Sequence, residues 1–347
     1  MVESGPALGS AKRRVKEGSF PMFVLGVDGG GTATHALVAD ELGEVRGFAI
    51  SGASNWENAG IEPAIEAIGA AARSALTAAG VSPANVGGAV YGLAGVDFPS
   101  DEQEMSAAHT RLELECPFQV LNDSFVALRA GTNHPWGVVI VAGTGSVVAG
   151  RNPAGEVART FGLGPTFGDD GSASEVSVGA ITAVAAQLLG TGPRTKLTDK
   201  LVGVTGSPDP MSLIEGLAKG HIPDDRFAPQ VFEAAEAGDL VARRILEGAG
   251  ASLGDRAGHV ARQLSMEDSE FELVLAGQIF HTRGRILRSA LEATVKRSAP
   301  FAFLAPLEAP AVVGAALLAL ELADATPDQQ VHQRLAVGAI ERLDRAS

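Results

Sequence analysis

The chain has 347 residues, of which 46% are apolar and 20% charged, which is the composition of a globular protein with room for two domains. Its formal net charge of −14 makes nucleic acid and anionic membrane surfaces poor partners. The single cysteine, Cys116, excludes an internal disulfide framework and a cysteine-held metal cluster within one chain, and it fits a reducing compartment.

Residues 1–20 precede the first segment with a clear structural pattern. They carry several basic residues but lack the apolar core of a signal peptide, so we predict a disordered tail rather than a targeting segment. The longest apolar stretch, residues 311–320, is too short to span a bilayer. These observations together predict a cytoplasmic protein.

The first strand signals are the segments FVLGVD, THALVAD and EVRGFAIS, which lie within residues 23–51 and are separated by turn residues. Three such segments in succession predict a β-meander. Residues 62–79 are rich in alanine, have apolar residues at helical spacing and end at Gly80, so we predict a helix there. Short strands are predicted at 86–93 and 118–121, with a helix near 100–109 between them.

A second meander is predicted from WGVVIVAG, SVVAGRN and EVARTFG, within residues 136–162. Its order of strand, glycine turn, strand, polar turn and strand repeats that of the first meander, which indicates an internal duplication. The remaining predicted elements are helices at about 172–189, 228–264 and 309–323 and a strand at 272–275. Meanders followed by alternating helices and strands predict α/β units built on mixed sheets.

A glycine-rich loop joins the first two strands of each meander: VDGGGTAT at 27–34 and VAGTGS at 141–146. Neither loop has the spacing of a P-loop or of a dinucleotide-binding fingerprint. Each could be a plain hairpin turn. Alternatively, backbone N–H groups could form an anion-binding nest, with the hydroxyls of Thr32 and Thr34 as further donors in the first loop. Two such loops in matching positions suggest that two domains hold one polyphosphate.

Seven stretches carry a family resemblance: VDGGGTAT, SGASNW, GLAGVD, LNDS, VAGTGS, FGDDGSAS and LAGQIF. These stretches occur in this order over about residues 22–320. In them the chain resembles sugar kinases of the actin/hexokinase/Hsp70 ATPase superfamily. It is more closely similar to the BadF/BadG/BcrA/BcrD ATPase family, which includes N-acetylglucosamine kinases. The resemblance implies two α/β domains of the ribonuclease H-like, actin-like ATPase type around an interdomain cleft. We expect one domain at 21–115 plus 319–347 and a nucleotide-binding domain at 116–318.

The resemblance also implies which residues bind ATP. The two glycine loops correspond to the two phosphate loops of the family, and LAGQIF corresponds to its adenosine motif. The implied ATP contacts are Gly29, Gly30, Gly31, Thr32, Gly143, Thr144, Gly145, Ser146 and Gly277. Asp28 and Asp123 are expected near a Mg²⁺ ion that accompanies ATP, although Asp28 could instead only accept hydrogen bonds from turn amides.

Three further residues are expected at the sugar. Asp97 of GLAGVD lies where these kinases keep the general base, and Asn55, Asp97 and Asp169 lie among the sugar contacts. Phosphoryl transfer needs a group that accepts the hydroxyl proton, and Asp97 follows a buried strand and a glycine turn that could project it into a cleft. Two structural alternatives remain: Asp97 could be the N-cap of the helix near 100–109, and Asp169 could cap the 172–189 helix.

The function implied by the resemblance is that of an ATP-dependent kinase acting on a hydroxyl group, the 6-OH, of an amino sugar. N-acetyl-D-glucosamine is the first choice and glucosamine the alternative. A non-kinase ATPase or activator of the same family is a further alternative, but those activators share an iron–sulfur cluster through cysteines, and this chain has one cysteine. The expected partners are ATP and a small sugar, with no nucleic acid or membrane, and a homodimer is compatible with the sequence.

Overall fold

The computed structural model describes residues 22–280 and 284–346, so the tail prediction for residues 1–20 lies outside the described residues. The elements up to residue 131 are, in chain order, β1 (Phe23–Gly29), β2 (Thr34–Asp40), β3 (Val45–Ser51), α1 (Trp56–Ala59), α2 (Ile61–Ala79), β4 (Val86–Leu93), α3 (Pro99–Met105), α4 (Ala107–Thr110), β5 (Phe118–Asn122) and α5 (Asp123–Gly131).

The later elements are β6 (Gly137–Ala142), β7 (Ser146–Arg151), β8 (Val157–Arg159), α6 (Ala173–Leu188), α7 (Leu197–Thr205), α8 (Pro210–Ala218), α9 (Ala228–Glu236), α10 (Leu240–Gln263), β9 (Phe271–Ala276), α11 (Arg285–Val295), β10 (Ala302–Pro306), α12 (Ala311–Leu322) and α13 (Gln329–Ala346). Among the described residues, the structure contains no helix that is both long enough and apolar enough to cross a membrane.

The first sheet has the strand order β3-β2-β1-β4-β5. Strand β1 is antiparallel to β2 and parallel to β4, and β4 is parallel to β5. In this register Gly29 pairs with Leu93, and Leu93 pairs with Asn122. The carboxyl ends of β1, β4 and β5 therefore lie side by side at one edge of the sheet, where ligands of open α/β sheets usually bind.

Two apolar clusters cover the two faces of this sheet. One joins the buried side chains of α2, such as Ile65 and Ile68, to Leu25 and Val27 of β1. The other joins α12, which is buried along nearly its whole length, to Val24 of β1 and to α5. Because successive side chains of a strand point to opposite faces, β1 contributes apolar residues to both clusters, and the residues from Phe23 to Val27 include no polar side chain.

The second sheet has the order β10-β9-β6-β7-β8, which is the strand order of the first sheet when it is followed from its other edge. Strands β9 and β10 are parallel. The repeated order agrees with the internal duplication that the two meanders predict. Helix α10 packs against α11 and α9 in this part of the chain.

Contacts divide the described chain into two compact units. The first contains the residues up to Val139 together with Arg151–Val157 and the chain from Leu307 onward, and the second contains Ile140–Gly150 and Ala158–Pro306. The predicted domains, 21–115 plus 319–347 and 116–318, differ from these units mainly at 116–139 and 307–318. Strand β5 pairs with β4 there, and α12 packs against β1, so both segments lie with the first sheet.

Most predicted elements are confirmed, and two predicted helices are each divided. The helix predicted at 228–264 is α9 followed by α10, because Gly238 has a φ of +84° and Asp239 begins a new helix by accepting hydrogen bonds from Val241 N and Ala242 N. The helix predicted near 100–109 consists of α3 and α4, which meet at Ser106. Both corrections concern helix boundaries and leave the sheet order unchanged.

Candidate active site

The first glycine loop connects β1 to β2. Gly30 N donates to Ala33 O at 3.0 Å, while Gly30 O accepts from Ser54 N at 3.0 Å and from Asn55 N at 3.2 Å. Gly31 and Thr32 are exposed. Thr34, expected to be a further phosphate donor, is instead buried, and its hydroxyl lies 2.7 Å from Gly52 O. The loop is therefore anchored through Gly30 O, and its tip faces solvent.

The second glycine loop connects β6 to β7 and is anchored by the first turn of α6. Gly143 N donates to Gly145 O at 2.9 Å, and Gly143 O accepts from Ala173 N at 2.8 Å. Thr144 and Gly145 are exposed, but the Ser146 side chain is buried. Its hydroxyl donates to Asp169 O at 3.1 Å, so it is engaged within the protein.

The open space around both loops helps to decide between the hairpin-turn and anion-nest interpretations. Gly30, Gly31, Gly143 and Gly145 do not have positive φ angles, so the backbone alone does not demand glycine at these positions. A Cβ atom on Gly31, Gly143 or Gly145 would meet no protein atom within 4 Å. Free space beside a turn that does not require glycine favours a ligand that approaches the backbone closely.

Gly277, by contrast, has a structural reason to be glycine. It follows β9 with a φ of +100°, and a Cβ atom there would lie 2.2 Å from Ala142 O, at the end of β6. Any side chain would therefore push β9 and β6 apart at the base of the second glycine loop. The predicted adenosine contact of Gly277 stays a prediction.

A buried ion pair fixes the segment that follows β8. Arg256 of α10 lies 3.2 Å from Asp169 Oδ1, and the two side chains are 11% and 1% exposed. Leu163 N donates to the other carboxylate oxygen of Asp169 at 3.0 Å, and Arg256 also donates to Ser146 Oγ at 2.9 Å. The N-cap of α6 is Ser172, so Asp169 does not cap that helix. The sugar contact expected for Asp169 stays a prediction.

The electrostatics of this cluster reflect its burial. Burial lowers the pKa of Arg256, while the charges of Asp169, Glu175 and Asp170 act in the opposite direction. Burial also raises the pKa of Glu175, and a hydrogen bond with Asp170 adds to that rise. Sequence analysis missed Arg256, because an arginine in a long amphipathic helix carries no local signal of its partner.

Three aspartates lie at the carboxyl edge of the first sheet, each at or shortly after the end of one of three adjacent parallel strands. Asp28 is the penultimate residue of β1, Asp97 follows β4 after a short turn, and Asp123 follows β5 as the first residue of α5. Ala94 N donates to Gly29 O at 2.8 Å, which attaches the turn before Asp97 to the first glycine loop. The structure thus brings the predicted base and both predicted metal ligands to the same edge.

The backbone of Asp97 is held by a neighbouring carboxylate. Asp101, which is buried, accepts hydrogen bonds from Asp97 N at 3.0 Å and from Phe98 N at 2.8 Å. Phe98 is the N-cap of α3, so the alternative in which Asp97 caps that helix does not apply. Sequence analysis missed Asp101, because the N-cap residue, Phe98, is not the serine or threonine that begins a recognisable capping box.

Asn55 lies close to both the first glycine loop and the turn before Asp97. It is the N-cap of α1, with its side-chain oxygen accepting from Glu57 N at 3.0 Å. The neighbouring Trp56 donates from Nε1 to Gly95 O at 2.6 Å. A Cβ atom on Gly95 would lie 2.8 Å from Asn55 Oδ1. Asn55 and Asp97 therefore belong to one local cluster in the first unit.

The predicted metal ligands are hard oxygen donors. The Asp28 carboxylate is 22% exposed and lies 3.7 Å from His35 Nδ1, and Asp123 is half-buried. Within residues 22–280 and 284–346 there is no group of three or more His, Cys, Asp or Glu side chains suited to a metal ion. Two carboxylates fit Mg²⁺, which proteins commonly hold through one or two carboxylates with water and substrate phosphates completing the shell.

The chain is similar to known proteins over most of its length. The model of the BadF/BadG/BcrA/BcrD ATPase family matches residues 25–319. An N-acetyl-D-glucosamine kinase from Dictyostelium discoideum is 30% identical over 85% of the chain and 97% of the relative. An N-acetylmuramic acid/N-acetylglucosamine kinase from Clostridium acetobutylicum is 28% identical over 75% of the chain and 86% of the relative.

The fold is also found in solved structures. A crystal structure of a candidate N-acetylglucosamine kinase from Chromobacterium violaceum superposes with a TM-score of 0.64 at 23% identity, covering 86% of the chain and 99% of that protein. The likeness confirms the predicted fold class, a mixed α/β protein with two five-stranded sheets of the actin-like ATPase type.

Proposed function

Because the chain belongs to the BadF/BadG/BcrA/BcrD ATPase family, we propose that it transfers the γ-phosphoryl group of ATP to a hydroxyl group of an amino sugar. It is an ATP-dependent sugar kinase, and the proposal concerns the acceptor: N-acetyl-D-glucosamine, phosphorylated at its 6-OH. The observation that carries the proposal is the carboxyl edge of the first sheet, where Asp97 lies beside a glycine loop and two further aspartates. The cytoplasmic location stays a prediction.

The proposed chemistry assigns one task to each group at this edge. Asp97 accepts the proton of the attacking sugar hydroxyl. Asn55, whose neighbour Trp56 donates to Gly95 O in the turn before Asp97, orients the sugar. Asp28 and Asp123 are placed to hold Mg²⁺, directly or through water. When bound, this ion would neutralise charge on the transferring phosphates. No lysine or arginine is required at the phosphates, which suits a chain with a net charge of −14.

The two glycine loops are proposed to bind phosphate oxygens through backbone N–H groups. Hydrogen bonds to charged groups contribute about 1.5–3 kcal/mol each, so a few of them suffice for a polyphosphate. The proposed donors lie at Gly29 to Thr32 and at Gly143 to Ser146, apart from Gly30 N and Gly143 N, which already donate to Ala33 O and Gly145 O. For Ser146 the backbone amide is meant, because its hydroxyl already bonds Asp169 O.

Substituting valine for a loop glycine tests this assignment. Gly31→Val or Gly145→Val places a side chain in space that is empty of protein, so we expect normal folding but a KM for ATP raised by about tenfold or more, with the KM for sugar little changed. Gly203→Val is a matched control, because the space beside this glycine of α7 is also open. Steady-state kinetics, with the concentration of each substrate varied in turn, measures the KM for ATP and the KM for sugar. If the loop variants raised mainly the KM for sugar, the phosphate-loop assignment would be wrong.

The identity of the acceptor is tested with a panel of sugars. We expect kcat/KM to be highest for N-acetyl-D-glucosamine, lower for glucosamine and lowest for glucose, because a site that hydrogen-bonds an amide leaves its own polar groups unpaired when the amide is missing. The names of the Dictyostelium and Clostridium relatives support an acetylated amino sugar. The name of a further relative, a glucosamine kinase from Vibrio cholerae that is 27% identical over 65% of the chain, supports the alternative. A coupled assay of ADP release gives the rates, and NMR of the product gives the position of the phosphate.

Three results of this panel would change the proposal. A tenfold preference for glucosamine over the acetylated sugar would make the alternative substrate the correct one. Phosphorylation at a hydroxyl other than 6-OH would correct the position. ATP hydrolysis without phosphorylation of any sugar would indicate a non-kinase ATPase and would contradict the proposal that the protein is an amino-sugar kinase.

A further inference from the structure

Glu57 is an acidic residue beside Asn55, the proposed sugar contact. Its backbone N–H donates to Asn55 Oδ1 at 3.0 Å, and its carboxylate oxygen lies 3.5 Å from Asn55 Nδ2. A Cβ atom on Gly95, in the turn after β4, would lie 3.2 Å from Glu57 Cγ. Glu57 itself is exposed. Its charge is therefore open to solvent next to both Asn55 and that turn.

The loop that carries Glu57 lies at the carboxyl edge of the first sheet. Ser51, the last residue of β3, pairs with Thr34, and Thr34 pairs with Gly29 at the end of β1. The strand ends and loops that meet at this edge span residues 28–33, 52–60, 94–98 and 122–124. Their acidic residues are Asp28, Glu57, Asp97 and Asp123, and their sequences contain no lysine or arginine. These loops therefore give the edge a negative charge that none of their own side chains offsets.

This charge bears on which acetylated amino sugars the proposed site can accept. N-acetylmuramic acid is N-acetyl-D-glucosamine with a lactyl ether on its 3-OH, and the ether adds one carboxylate. The Clostridium relative is named for both sugars. A sugar carboxylate brought next to the carboxylate of Glu57 would be repelled, because like charges raise the free energy of the complex. A neutral sugar would not be repelled, and a protonated amine would be attracted.

We propose that Glu57 is a specificity-determining residue of the sugar site: its carboxylate disfavours acceptors with a negative charge, such as N-acetylmuramic acid, and favours neutral or cationic amino sugars. This role rests on the proposed amino-sugar kinase activity and on the proposed contact of Asn55 with the sugar. It requires no particular choice of the general base.

Glu57→Gln tests the role of the charge, because glutamine keeps the size of the side chain and retains an oxygen that can face Asn55 Nδ2. We expect kcat/KM for N-acetylmuramic acid to rise about tenfold. For glucosamine at about pH 6.5, where its amine is protonated, kcat/KM should fall about threefold or more. For the neutral N-acetyl-D-glucosamine it should change less than about twofold. A coupled assay of ADP release on the full chain measures all three.

A structural effect of the substitution predicts a different pattern. If Glu57→Gln only disturbed the loop around Asn55, kcat/KM would fall for all three sugars together. Opposite responses of the anionic and the cationic sugar arise only from charge. Added salt should also reduce both responses, because the Debye length falls from about 10 Å at 0.1 M to about 3 Å at 1 M. Thermal melting shows whether the variant keeps its stability.

The methyl ester of N-acetylmuramic acid separates charge from size. The ester is slightly larger than the acid but carries no charge. We therefore expect the unchanged protein to use the ester with a kcat/KM about tenfold or more above that of the acid. An ester that is used as poorly as the acid would show that bulk at the 3-OH excludes the lactyl group, and the role of Glu57 would be refuted.

Glu44→Gln is the matched control. Glu44 is exposed and lies in the turn between β2 and β3, at the opposite edge of the sheet, because Phe23 at the start of β1 pairs with Asp40. The 7 residues of β1 separate the two edges by about 20 Å, which is about two Debye lengths at 0.1 M salt. This control should leave kcat/KM unchanged for all three sugars.

The possible failures are distinguishable. Equal responses of Glu57→Gln and Glu44→Gln, or unchanged ratios of kcat/KM among the three sugars in Glu57→Gln, would overturn the role of Glu57 and leave the kinase proposal intact. The same holds if the unchanged protein used N-acetylmuramic acid as efficiently as N-acetyl-D-glucosamine. Failure of the unchanged protein to phosphorylate any amino sugar would overturn the kinase proposal itself.

Discussion

Asp97→Asn is expected to lower kcat by about 10²- to 10⁴-fold, which is the usual contribution of a general base. Asparagine has the shape of aspartate, and its carbonyl oxygen can still accept the hydrogen bond from Asn122 Nδ2, so the turn after β4 should keep its structure. What the variant loses is the ability to take the proton from the sugar hydroxyl. The affinity for ATP should change little.

Single-turnover kinetics and calorimetric titration of both substrates separate these effects. Asp199→Asn, at an exposed position in the first turn of α7, is the matched control for the same chemical change and should be fully active. Turnover of Asp97→Asn within a few-fold of the unchanged protein would remove Asp97 from the mechanism.

Arg256→Met is expected to destabilise the second unit by about 3–5 kcal/mol, because removing one partner of a buried ion pair leaves the other charge without compensation. Asp169 is 1% exposed, and its second oxygen accepts from a backbone amide, Leu163 N, which does not neutralise the charge. Methionine roughly fills the volume of the arginine stem, so the loss comes mainly from electrostatics. Urea denaturation at neutral pH measures the free energy of unfolding.

Two further variants test the cause of that loss. Adding Asp169→Asn to Arg256→Met should restore part of the stability, because the stranded charge is then gone. Arg244→Met, at an exposed position on the same helix, should change stability by no more than about 0.5 kcal/mol. An unchanged unfolding curve for Arg256→Met would refute the buried-pair explanation.

We also expect Arg256→Met to raise the KM for ATP, since Arg256 donates to Ser146 Oγ at the end of the second glycine loop.

Local features of the sequence determined the elements and the positions of the loops. The helix predicted at 62–79 ends where expected, because Gly80 adopts the left-handed conformation that closes a helix. Helix α6 begins at Ser172, which forms a capping box with Glu175, a pattern that spans four residues. Such interactions join groups a few residues apart, so their energies depend on the local sequence and can be predicted from it.

The predicted site residues were found by their motifs, but their partners were not. Asn122 contacts Asp97 across 25 residues, and Arg256 contacts Asp169 across 87. Which side chains meet at such separations depends on the register of β1, β4 and β5 and on how α10 packs, and neither is encoded in a short stretch. The sequence alone determined that glycine loops follow strands and that aspartates follow strand ends. The tertiary structure alone decided which carboxylate is buried in an ion pair and which is held at the sheet edge, because burial and charge pairing arise only when distant segments pack together.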